Sequence, residues 1–225
     1  MNRPSLSHHR SSQGFSLTEV AIVLGVIGMI MGGIWVALSA GTEYYHREQA
    51  AEQIGIVVNN VRSLYAARMG TNLGYRNFTN QMLSKQVLPS YMQQATGCRA
   101  GFQCADNPWG SNSNNAGGTF RVCAWTMGAA PAMAACPALN LATPTQFFAV
   151  ELTHLSIGSC IALVGHVSSS SGSSGLINVV INGAALVEAG VSVRPVPTAA
   201  LNANCTLAAN ANVVDFVYQL TTPPS

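Results

Sequence analysis

From Val20 to Leu38 the chain reads VAIVLGVIGMIMGGIWVAL, nineteen residues without a formal charge. As a helix rising about 1.5 Å per residue, this run spans roughly the 30 Å hydrocarbon core of a bilayer. Arg3 and Arg10 are the only formal charges ahead of Glu19. Their position predicts that the N-terminus stays cytoplasmic and that the C-terminal body crosses the membrane.

Three readings compete for such a segment. A cleavable secretory signal ends at a small-residue site, which VALSAG at 36–41 imitates, but its apolar region is only about 7–15 residues long. A plain anchor fits the length and explains neither the glycine nor the acid just before the run. The third reading rests on Gly14-Phe15-Ser16-Leu17-Thr18-Glu19. This hexapeptide resembles the processing site of type IV prepilins and related secretion pseudopilins. The resemblance implies that a prepilin peptidase cuts after Gly14, that Phe15 becomes the N-methylated first residue, and that Glu19 becomes the fifth residue of the mature chain.

A carboxylate at membrane depth costs about 2.5–3.5 kcal/mol near a helix centre and less toward an end, so Glu19 needs a partner or the water interface. The resemblance implies that it meets the terminal amine of a neighbouring subunit during assembly. Gly28 and Gly32 form a GxxxG spacing that lets helices approach closely. Gly25 and Gly33 also interrupt the run, and Val36 stands where many type IV pilins carry a proline.

Outside the leader, eight basic residues balance eight acids, and only 8% of the chain is charged. No basic surface remains to suggest nucleic-acid binding. The six cysteines, Cys98, Cys104, Cys123, Cys136, Cys160 and Cys205, are widely spaced and include no CxxC pair. They read as structural disulfides made in an oxidising compartment, with no metal site among them or the scattered His46, His154 and His166.

Between Glu43 and Met69 only Gly55 breaks a helical pattern, and Ile54, Val57, Val58, Val61, Leu64 and Tyr65 recur at spacings of three and four. This predicts one helix from about 15 to 69 whose second half packs on a body. Residues 76–96 predict a short second helix with Phe78, Met82, Val87 and Leu88 facing a core, and 97–119 predict a loop pinned by Trp109. Strands are predicted at 120–125, 145–155, 175–181 and 213–220, and a helix capped by Ser156 at 157–167. The tract SSSSGSSG at 168–175 predicts a flexible connection. The pattern is an α+β fold, a long helix on an antiparallel sheet.

SIGSCIALVGHV, LINVVING and NANCTLAANANVVDFVYQL resemble type IVb pilins, the class that includes the toxin-coregulated pilus subunit. Asn107-Pro108-Trp109-Gly110 resembles a turn of that class where the αβ-loop meets the sheet. The resemblance implies a type IV pilin fold and a Cys160–Cys205 disulfide. Phe15 is instead what type IVa pilins use, the leader is short for the IVb class, and six cysteines exceed its usual two. For the other four cysteines three pairings are open; the local pairs Cys98–Cys104 and Cys123–Cys136 are the simplest.

The chain shows no GxSxG and no HExxH, and Glu151, Glu188 and Asp215 have no spacing that pairs them for acid–base work. The expectation is a structural subunit with no enzymatic role and no cofactor. Residues 1–14 would be a cleaved leader, 15–40 a membrane and filament-core helix, and 41–225 the disulfide-bonded body. Its expected partners are further copies of itself, the prepilin peptidase, an inner-membrane assembly machine and an outer-membrane secretin. The implied location is the inner membrane of a Gram-negative bacterium, then an extracellular pilus serving adhesion, aggregation or conjugation. A minor pilin or a type II secretion pseudopilin is the alternative.

Overall fold

The computed structural model describes residues 16–65, 88, 92, 104–109, 118–125, 147–170, 175–186, 195–208 and 211–220. Helix α1, Leu17–Tyr65, starts where the Ser16 carbonyl accepts the N–H groups of Glu19 (3.0 Å) and Val20 (3.2 Å). Glu19 sits in the first turn and Arg62 in the last, each matching the helix dipole. The helix runs through Gly25, Gly28, Gly32, Gly33, Val36 and Gly55 without a break. Its predicted ends at 15 and 69 lie outside the described residues. The chain divides into two compact units, one ending at Glu43 and the other starting at Tyr44.

The second unit is built on a sheet of six strands: β1 Ala105–Asp106, β2 Thr119–Trp125, β3 Phe147–Leu155, β4 Leu176–Ile181, β5 Ala184–Ala185 and β6 Asn212–Gln219. Their order is β1-β2-β3-β6-β4-β5, with every neighbouring pair antiparallel. The four longer strands are the four read from sequence. Because side chains alternate along a strand, Phe120, Val122, Phe148, Val150, Leu152, Val214, Phe216 and Tyr218 share one face. They form a single core with Ile54, Val57, Val58 and Val61 of α1, the face that the sequence spacing predicts. The Phe148 and Tyr218 rings stack at 5.6 Å. On the opposite face, Ala149, Val180 and Val217 form a second buried cluster. Burial on both faces explains why these strands read as nearly continuous apolar runs.

Two further helices follow the sheet: α2, Ile157–Ser170, and α3, Thr198–Asn204. Ser156 caps α2 as expected, its Oγ accepting the Ser159 N–H at 3.0 Å. The helix continues past the predicted end at 167 into the serine tract. Ser168 and Ser169 are helical rather than flexible, and each hydroxyl donates to the carbonyl three residues back, Gly165 (3.2 Å) and His166 (2.9 Å). Ser168 is buried, and its Oγ also accepts the Val196 N–H. The loop expected over 97–119 contains β1, held by register with Thr119 and Phe120. Of the predicted helix at 76–96, only Leu88 and Met92 are described, and both are buried.

Candidate assembly surface and the body that carries it

The first half of α1 has no apolar surroundings of its own. Its large side chains from Leu17 to Leu38 are exposed, from 45% at Val20 to 89% at Leu17, and Trp35 stands at 76%. A Cβ built on Gly28 or Gly32 would meet nothing within 4 Å, so the GxxxG strip is an open groove on the helix surface. Glu19 is exposed on the first turn, beside a Ser16–Thr18 hydroxyl contact of 3.2 Å. Gly14 and Phe15 lie outside the described residues. Each large aliphatic side chain moved from water into lipid or a protein core gains about 1.5–3 kcal/mol. A run of such side chains left in water is correspondingly costly. By length and composition α1 can cross a membrane.

The body fixes its C-terminal strand with covalent and polar ties. Cys160 in α2 and Cys205, just after α3, form the disulfide implied by the family resemblance, closing a separation of 45 residues with Cα atoms 6.0 Å apart. Cys104 and Cys123 are also disulfide-bonded. The proposed pairs Cys98–Cys104 and Cys123–Cys136 each include a cysteine outside the described residues. Beside the disulfide, the fully buried Asn212 donates to the carbonyls of Leu155 (3.0 Å) and Leu207 (2.8 Å) and accepts from the Leu207 N–H (3.0 Å). Asn182 joins this hub, donating to Asn212 Oδ1 at 2.9 Å and accepting the Val213 N–H. With Gly183 it forms the two-residue turn between β4 and β5, both at positive φ (51° and 86°), as a tight hairpin requires.

At the other end of β6, Arg62 of α1 donates from Nε to the Gln219 carbonyl at 3.2 Å and lies 6.0 Å from the Tyr218 ring. Partial burial lowers its pKa from the usual arginine range. Gly175, at φ 64°, lies against this guanidinium, and a Cβ there would collide with it. Trp109 does pin its turn: it packs on the main core, its ring meets His46 edge-on at 6.1 Å, and its N–H donates to Asn107 Oδ1. Asn107 in turn donates to the carbonyls of Thr119 and Thr153.

Besides the short strands β1 and β5, two arrangements escaped the sequence reading. Helix α3 is seven residues with one buried side chain, Leu201, too short for a periodic signal. Glu151 and Asp215, sixty-four residues apart and unpaired by spacing, become neighbours through the β3–β6 register, with Arg121 beside them. Charges inside otherwise apolar strands were the available signal. The cluster lies in a buried sheet face. His46, His154 and His166 lie on separate elements, His166 facing Glu48 at 3.4 Å. Among the described residues no three His, Cys, Asp or Glu side chains converge in a way that would hold a metal ion.

Comparison with known proteins agrees at both ends of the chain. Residues 9–35 match the prokaryotic N-terminal methylation motif. The fold is similar to that of a type IVb pilin from Salmonella typhi, with a TM-score of 0.50 and 16% identity over 76% of this chain and 97% of that one. A second similar structure is TcpA, a type IV pilin from Vibrio cholerae El Tor biotype, with a TM-score of 0.46 and 12% identity over 78% of this chain and 99% of that one. No curated protein matches in sequence. The chain thus carries the prokaryotic N-terminal methylation motif and has the type IVb pilin fold.

Proposed function

We propose that this chain is a structural subunit, the major pilin, of an extracellular type IV pilus. The observation that carries this reading is the exposed apolar half of α1, most of which lies within the matched methylation motif at residues 9–35. A helix that needs lipid first and other helices later suits a subunit that is stored in a membrane and then polymerised. In this reading residues 1–14 are a leader removed by the prepilin peptidase after Gly14, leaving Phe15 as the methylated first residue. Residues 15–40 form the membrane and then the filament core, and 41–225 the exposed body. Glu19 pairs with the terminal amine of the next subunit, removing two charges from lipid together, and Gly28 and Gly32 let neighbouring helices approach. An inner-membrane assembly machine and an outer-membrane secretin of a Gram-negative cell are the further partners. Adhesion, cell aggregation or conjugative contact is the service the fibre performs, through surface and mechanics rather than catalysis.

The test is microscopy of sheared surface fibres with mass spectrometry of their main band. The band should begin at a methylated Phe15, and Glu19→Leu should abolish fibres while leaving cleavage after Gly14 intact. Fibres whose main band is another protein would reassign the chain to a minor pilin or a type II secretion pseudopilin. Normal fibre yield from Glu19→Leu would remove Glu19 from assembly.

A further inference from the structure

Three ionisable side chains form one row across the sheet, on the face opposite the main core. Arg121 of β2 is the register partner of Glu151 of β3, and Glu151 is the register partner of Asp215 of β6. All three are buried, at 5%, 0% and 6% exposure. The guanidinium pairs with Glu151, Nε donating to Oε1 at 2.7 Å and Nη2 to the same oxygen, while its buried Nη1 makes no hydrogen bond among the described residues. Asp215 receives no such bond, and its Oδ1 is buried without a hydrogen-bond partner. On its other side it faces Val180 of β4, and its same-face neighbours on β6 are Val217 and Val213; Val180 and Val217 are fully buried and Val213 is half-buried. Among the described residues, therefore, the ionisable groups near Asp215 are Glu151 and Arg121.

An ionised carboxylate with an unsatisfied oxygen in an apolar site, next to a second carboxylate, is far costlier than a neutral carboxylic acid there. We propose that this row is a proton lock: one proton held on Asp215 lets the three groups share a dry sheet face, and its loss drives β6 from β3. Burial first, and then the Glu151 charge, push the Asp215 pKa well above the ordinary carboxylate range, with Arg121 opposing in part. A carboxyl raised in this way favours the fold fully below its unfolded value, about 3.9 for Asp, and that contribution is lost as pH rises through the folded value. The contribution of this row to the body is therefore greatest at low pH and weakens as pH rises through the folded value of Asp215. This inference stands whether or not the chain forms pili.

The experiment uses the full chain in detergent micelles, in a Glu19→Leu background that removes the acid of the apolar segment. Infrared spectroscopy over a pH series should show the carbonyl band of one protonated carboxyl outlasting the titration of the ordinary carboxyls, absent from Asp215→Asn. Raising the pH should abolish the band together with the near-ultraviolet circular dichroism of the packed body. The melting temperature should fall by several degrees over the same range in the parent and stay level in Asp215→Asn, which keeps the neutral shape. Glu151→Gln removes the neighbouring charge, so the band should vanish at lower pH than in the parent. A parent spectrum in which no carbonyl band outlasts the titration of the ordinary carboxyls overturns the proposal, as does an Asp215→Asn protein that melts with the parent's pH slope. The parent spectrum decides the matter even if a variant fails to fold.

Discussion

The two halves of α1 obey opposite rules. Before Glu43, side chains such as Met29 and Trp35 are 81% and 76% exposed; beyond Tyr44, Val57 and Val61 of the same helix are fully buried. The later half follows a spacing of three and four because it serves one face of a sheet. The earlier half is apolar all round, as a helix is when lipid or like helices surround it on every side. On the proposed function, stability of the body and assembly through the apolar segment are therefore separable properties of one helix. Substitutions should sort cleanly into one or the other.

The sharpest test of that separation is the Cys160–Cys205 bond. Closing a 45-residue separation is worth about 4 kcal/mol on the chain-entropy estimate, so Cys160→Ala with Cys205→Ala should lower body stability by about that much in urea titrations in detergent. A next, smaller effect is expected at the polar hub. Asn212→Ala leaves the carbonyls of Leu155 and Leu207 unsatisfied and should cost about 1–3 kcal/mol, read from the same titration. At the other extreme, Ile30→Ala on the exposed segment should change the urea midpoint of the body by less than about 0.5 kcal/mol equivalent, while reducing the yield of sheared fibres. A large loss of body stability in Ile30→Ala would break the comparison.

The sequence showed the main outline because its strongest signals are local. An uncharged run of nineteen residues, a three-and-four pattern from Ile54 to Leu64 and four strand-like stretches each read the same way in any context. Short elements left no such trace. Strand β5 is two residues long and follows the local Asn182-Gly183 turn, while helix α3 is held from elsewhere, by packing of Leu201 into the core. The serine tract misled because serine has weak helix propensity on its own; α2 extends to Ser170 since the Ser168 hydroxyl has a partner in Val196. The disulfide between Cys160 and Cys205 came from likeness to a family, and spacing alone left the cysteine pairing open.

By itself the amino-acid order determined that a membrane-length helix leads into an α+β body, because hydrophobic periodicity and charge placement act within a few residues. Only the tertiary structure decided which distant residues share a site: Arg121, Glu151 and Asp215 in one row, Asn182 with Asn212, Arg62 against Gly175. The first two sets of neighbours follow from strand register and order across the sheet and the third from docking of α1 on it, each a property of the assembled fold rather than of any one segment.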